Sequence, residues 1–168
     1  MNLETNKNNL NNLLLQELIF LAKEFEKENL PLIIGGGLSL FIRTSLLKKS
    51  TSQRYPIQPN QRSTKDIDIF LNSEIIVNSS DVEKIKNIIK KLGYTPKTKY
   101  FQFEKNKGVL VDILSAPPNK NDADKVIIKK PRIKPQGITE FHAFLVEEAK
   151  FIDIGLINVS DYFAAQEV

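Results

Sequence analysis

The segment Lys65-Asp66-Ile67-Asp68-Ile69-Phe70-Leu71 constrains this chain more than any other. It alternates acid and apolar, and side chains two apart on a strand point the same way. The pattern predicts a strand over Asp66–Leu71, with Asp66 and Asp68 on one face and Ile67 and Ile69 in a core behind it. Two carboxylates roughly 6–7 Å apart repel by about 2–3 kcal/mol at an effective dielectric near 20. A fold tolerates that more readily where a cation lies between them. Two readings of the strand stand open: a half-exposed edge strand with acidic outward residues, or one wall of a cation-holding site.

With 168 residues the chain is long enough for one domain with its own core. No apolar run approaches the ~20 residues that cross a bilayer, so no membrane partner is expected. Met1 to Asn12 is rich in Asn and lacks the apolar stretch of a signal peptide. The absence of cysteine excludes disulfides and thiolate metal sites and fits a cytoplasmic location. The net charge of +4, with lysine pairs at Lys48-Lys49, Lys90-Lys91 and Lys129-Lys130, permits a phosphate-bearing partner without demanding one.

Leu10, Leu14, Leu18, Leu21 and Phe25 recur at helical spacing and predict an amphipathic helix. Pro31 to Ile34 reads as a short buried strand, broken by Gly35, Gly36 and Gly37, after which Leu38 to Leu47 resumes a helical pattern. From Lys48 to Gln61 the pattern stops, and two prolines mark an irregular insertion. Ser80-Asp81-Val82-Glu83 has the form of a capping box before the helical face Ile85, Ile88, Ile89 and Leu92, with Gly93 as the stop. Tyr100 to Phe103 and Val109 to Leu114 read as a hairpin about Asn106-Lys107-Gly108. Val126–Ile128, Ala143–Val146 and Phe151–Ile154 are short strand candidates, and Ser160 to Val168 reads as the start of a helix. The sum is a single α/β (α+β) domain over 1–168, a mixed sheet flanked by helices.

Three constellations carry chemistry. Gly35, Gly36 and Gly37 between a strand and a helix would let backbone N–H groups approach a phosphate at the helix N-terminus. Tight strand-to-helix packing explains them equally well, and they match neither a P-loop nor a dinucleotide-binding turn. Asp112 is the only charge in a strand of branched aliphatics, so it lies at a mouth or edge or has a cation for company. If its strand lies beside Asp66–Leu71, three carboxylates converge, a donor set that suits magnesium. Arg62 and Thr64 share the face of Asp66 and Asp68 on an extended chain; Arg62 suits a carboxylate or phosphate, and Thr64 suits orienting an acid. His142, the only histidine, reads as structural or surface, and Tyr100, Phe101 and Phe103 as core and hairpin packing rather than a base-stacking platform.

Ile34-Gly35-Gly36-Gly37-Leu38-Ser39-Leu40, Arg62-x-Thr64-x-Asp66-Ile67-Asp68-Ile69 and Val111-Asp112-Ile113-Leu114 together resemble the DNA polymerase β-like nucleotidyltransferase superfamily, and within it the AbiEii-type toxins. The resemblance runs over roughly residues 31–114. It implies a nucleotidyltransferase fold that binds Mg²⁺ and a nucleoside triphosphate such as ATP. Asp66, Asp68 and Asp112 would be catalytic and hold the metal, Asp112 acting on the acceptor hydroxyl as metal ligand or base. Gly35, Gly36, Gly37, Ser39, Arg62 and Thr64 would hold the nucleotide. The implied reaction transfers a nucleoside monophosphate to a hydroxyl of an RNA (a tRNA among them), a protein or a small molecule, in a toxin or defence setting with an antitoxin partner. The chain departs from the family in placing Ser39 later than the usual Ser or Thr after the glycines, and in a longer spacer at residues 48–61. Residues 160–168 would begin a C-terminal helical region that is truncated or absent relative to the family. A second reading is a catalytically inactive nucleotide-binding or protein-interaction module of the same fold. A third is a structural domain whose acids are surface charges.

Overall fold

The structure, a computed structural model, describes residues 3–49, 64–98, 100–106 and 108–151. The chain opens with helix α1 (Leu3–Lys27). Leu14, Leu18, Leu21 and Phe25 are fully buried along one side of it, the stripe a helix presents to a core. Each such side chain contributes about 1.5–3 kcal/mol relative to exposure. The helix stops at Asn29, whose φ is 55°. The Leu30 N–H donates to the Phe25 carbonyl and the Asn29 N–H to the Glu26 carbonyl, a Schellman ending that satisfies two orphaned acceptors.

Strand β1 (Ile33–Gly35) runs directly into helix α2 (Gly36–Lys49), so Gly35 ends the strand instead of following it. Lys48 and Lys49 belong to α2, a correction to the expected insertion, whose remainder at residues 50–61 lies outside the described residues. Strand β2 (Asp66–Leu71) has the expected bounds and alternating burial. Two helices follow, α3 (Ser73–Val77), which no periodicity announced, and α4 (Ser79–Lys91). The expected capping box at Ser80 does not form, because Ser80 already lies inside α4. Asn78 caps instead, its Oδ1 accepting from the Ser80 and Asp81 N–H groups. Asn72 caps α3 in the same way through the Ile75 N–H. α4 buries Val82, Ile85, Ile88 and Ile89 and ends as α1 does, with Gly93 at φ 84° and the Tyr94 N–H on the Ile89 carbonyl.

The remaining strands are β3 (Thr95–Thr98), β4 (Gln102–Lys105), β5 (Val109–Ser115), β6 (Val126–Lys129), β7 (Arg132–Pro135) and β8 (Ala143–Leu145). β3 and β7 escape a reading by alternation because each is four residues long and contains a proline. Tyr100 and Phe101 precede β4. Of the strand expected at Phe151–Ile154, Phe151 closes a 3-10 helix, Glu147–Phe151, and the remaining residues lie outside the described residues, as does the helix expected over 160–168.

The main sheet order is β1-β2-β5-β8-β7-β6. β2 and β8 pair with β5 in parallel, and the other pairs are antiparallel. The result is a mixed sheet flanked by helices, as expected. β5 is its spine: β2 lies along one edge, while β4 takes Val109–Asp112 and β8 takes Leu114–Ser115 on the other. Ile67, Ile69, Leu71, Val109, Val111 and Ile113 form one core with the buried residues of α1, α4 and Leu38 and Ile42 of α2. On the opposite face Asp66, Asp68, Phe70, Leu110, Asp112 and Leu114 are only half-buried. β2 is interior, flanked by β1 and β5, which rules out the edge-strand reading of its acids. No helix among the described residues is long and apolar enough to cross a membrane.

The caps give a direct check. Asn78→Ala should destabilise the protein by about 1 kcal/mol in urea unfolding, whereas Ser80→Ala should stay within about 0.5 kcal/mol. The reverse ranking would restore Ser80 as the cap.

Candidate active site

Strand register assembles the site. Gly35 pairs with Asp68, Asp68 with Asp112, Asp112 with Gln102, and Gln102 with Thr98. Residues directly opposite on neighbouring strands share a face, so these five form one row across five strands. Asp66, two residues before Asp68 on β2, joins them. Carboxylate oxygens of Asp66, Asp68 and Asp112 lie within 4.8 Å of one another. At that separation each pair repels by about 3 kcal/mol at a dielectric near 20.

Neighbouring side chains fix two of the three acids. The buried Thr64 hydroxyl lies 2.9 Å from Asp66 Oδ1 and 3.1 Å from the Asp66 carbonyl oxygen, so it orients Asp66 as its spacing suggested. Gln102 Nε2 donates to Asp112 Oδ1 at 2.8 Å, and its own Oε1 accepts from the Thr98 hydroxyl at 3.2 Å. Among the described residues Asp68 has no hydrogen-bond donor. Burial, then the charges of Asp66 and Asp112, push its carboxyl up to about 6. Burial also raises Asp112, opposed by the Gln102 hydrogen bond and by Lys97, and reinforced by Asp66. Among the described residues no lysine or arginine comes within ion-pair distance of the three acids, and Lys97 pairs with Glu104 at 3.2 Å.

The glycines abut this row. Gly36 has φ 62°, and a Cβ there would meet Asp68 Oδ2 at 1.7 Å; one on Gly37 would meet Thr64 Cβ at 2.9 Å. Glycine is what lets the first turn of α2 sit against the acids. That turn carries unpaired N–H groups and the positive end of the helix dipole. The Ser39 hydroxyl donates to the Gly36 carbonyl at 2.9 Å, within the first turn of α2. Arg62 lies outside the described residues.

Gln102 is the site residue that the sequence reading missed. A hairpin centred on residue 107 pairs positions equidistant from it, so the turn at Asn106–Gly108 already set Gln102 opposite Asp112. A second unforeseen group, Glu17, is buried on α1 and accepts from Tyr94 Oη at 2.9 Å and Lys105 Nζ at 3.0 Å. It ties α1 to the end of α4 and to β4.

The donor set is three carboxylates, all oxygen, half-buried and, among the described residues, without a cationic neighbour in contact. Those properties fit a hard divalent cation such as Mg²⁺. No family model, curated protein or solved structure matches the chain.

The raised Asp68 carboxyl has a measurable consequence. Its affinity for the proton is higher folded than unfolded, so stability from this group is greatest below pH about 4 and is lost as pH rises toward 6. The shift would correspond to about 3 kcal/mol, reduced to about 1 kcal/mol by solvent screening of a half-exposed group. In EDTA, Asp68→Asn should therefore unfold at higher urea than the wild type at pH 7.5 and at similar urea at pH 4. A less stable variant at pH 7.5 would contradict the assigned repulsion.

Proposed function

We propose that the chain is a Mg²⁺-dependent nucleotidyltransferase of the DNA polymerase β-like superfamily, of AbiEii type, moving a nucleoside monophosphate from an NTP to a hydroxyl acceptor. The observation that carries this reading is the convergence of Asp66, Asp68 and Asp112 on one half-buried sheet face, beside the glycine turn that opens α2. A carboxylate cluster of this kind lowers stability unless a cation offsets it.

Asp66, Asp68 and Asp112 would hold Mg²⁺, which when bound supplies charge neutralisation at the phosphates. Thr64 keeps Asp66 in one orientation. Gln102 holds Asp112 by Oδ1, leaving Oδ2 to take the acceptor hydroxyl's proton. The glycine turn admits a triphosphate close to the backbone, where free N–H groups of α2 face it. Positioning and charge neutralisation then account for in-line attack on the α-phosphorus with pyrophosphate leaving. A cytoplasmic toxin or defence role with an antitoxin partner is the setting this reading implies. One observation favours the second reading, a nucleotide-binding module without transfer: the Ser39 hydroxyl proton is committed to Gly36.

Incubation with each α-³²P-labelled NTP, Mg²⁺ and separate RNA, protein and small-molecule pools tests the proposal. Label should enter one pool with release of pyrophosphate, and Asp66→Asn or Asp112→Asn should abolish it. Gln102→Leu should keep the fold and lower Mg²⁺ affinity about 10-fold. Transfer that survives loss of Asp66 would refute the site; NTP binding without pyrophosphate would select the binding module.

A further inference from the structure

The face that carries the acids does not end at β5. Two residues beyond Asp112, Leu114 pairs with Phe144 of β8, Phe144 with Arg132 of β7, and Arg132 with Lys129 of β6. One row further along, Lys134 pairs with Ile127. The core side of these strands holds Val126, Ile133, Ala143 and Leu145, all buried. Alternation therefore turns Ile127, Lys129, Arg132, Lys134 and Phe144 to the acidic side of the sheet. Ile127, Lys129, Arg132, Lys134 and His142 line a cavity of about 200 Å³. Among the described residues no carboxylate comes within ion-pair distance of Lys129, Arg132 or Lys134, although neighbouring Lys130 pairs with Glu147 at 3.6 Å. Strands spaced about 4.8 Å apart put Arg132 roughly 10 Å across the sheet from β5.

Aromatic rings stand between the acids and these cations. Phe101 and Phe144 meet edge to face at 5.8 Å, as do Tyr100 and His142. Phe144 and Tyr100 are each 36% exposed. Of the three aromatics expected in core and hairpin packing, Phe103 is in the core, stacked on Phe141 at 5.7 Å, and Tyr100 and Phe101 lie in the turn between β3 and β4. Tyr100 is partly exposed beside His142, and half-buried Phe101 lies against the Phe144 ring.

We infer that β6, β7 and β8 form a docking track for single-stranded nucleic acid that leads to the acidic row. Lys129, Arg132 and Lys134 take backbone phosphates, and Phe144 with Phe101 offers a face to an unpaired base. Cations alone would suit any polyanion. Cations beside exposed rings suit a strand whose bases are free to stack, which a duplex or an acidic peptide does not offer. That the strand's terminal hydroxyl is the acceptor rests on the nucleotidyl-transfer reading; the surface itself does not.

The test is fluorescence anisotropy of a labelled oligouridylate of about 12 nucleotides, in EDTA without NTP, over about 50–200 mM salt. Wild type should bind with a log K against log salt slope near about −2, the value for three phosphates on a single strand. The Lys129→Ala/Arg132→Ala/Lys134→Ala variant should bind at least about 10-fold more weakly with a slope near zero. Phe144→Ala should weaken binding about 10-fold at unchanged slope. A control triple, Lys23→Ala/Lys86→Ala/Lys90→Ala, should stay within about twofold. Thermal unfolding of each variant separates lost binding from lost fold. Equal loss in both triples, no loss in either, no binding by wild type, or displacement by poly-L-glutamate at equal charge would overturn the track. Binding that needs the track, without transfer from any NTP, would support the surface and reject the enzyme reading. Transfer to another acceptor, with no oligonucleotide binding, would do the reverse.

Discussion

Asp66, Asp68 and Asp112 repel one another, and the sheet holds them together because the register of β2 against β5 leaves them no other place. Side-chain direction on a strand is fixed by the backbone. Once Ile67, Ile69, Val111 and Ile113 are committed to the core, the acids must share the other face. The hydrophobic core thus supplies the energy that keeps the charges close. Loss of the repulsion would need a one-residue slip that exposes every buried aliphatic of one strand.

Much of the remaining architecture serves that arrangement. β5 accepts three neighbours, and each contributes something to the face: β2 two acids, β4 the amide of Gln102, β8 the ring of Phe144. Thr64 and Gln102 hold Asp66 and Asp112 by hydrogen bonds, while Asp68, pressed against the glycine turn, has no donor among the described residues. Burial, then the charges of Asp66 and Asp112, hold the Asp68 carboxyl up to about 6. A divalent cation would relieve Asp68 most, since it is the carboxylate with the least local support.

The acidic strand was legible in the sequence because its alternation has a period of two and a length of six residues. The three-carboxylate cluster was legible only conditionally, since nothing local says that β2 and β5, some 40 residues apart, run side by side. Helix faces were readable from Leu14–Phe25 and Ile85–Ile89, but the cap of α4 was misplaced by two residues because Asn78, Ser79 and Ser80 are all competent caps. β3 and β7 were invisible because four residues with a proline carry too little pattern. Phe144 and Tyr100 look like core residues by composition. The pairing of β8 between β5 and β7 turns Phe144 outward, and Tyr100, in the turn before β4, is partly exposed.

We propose the acidic row as a divalent-cation site. Titration of Mn²⁺ at pH 7.5, followed by the electron paramagnetic resonance of the free ion, tests it without reference to any reaction. At least one ion should bind per chain, Mg²⁺ should compete for it, and affinity should be at least about 10-fold lower in Asp68→Asn. Equal, weak binding by wild type and variant would contradict it, leaving three mutually repelling surface acids with no ligand to explain them.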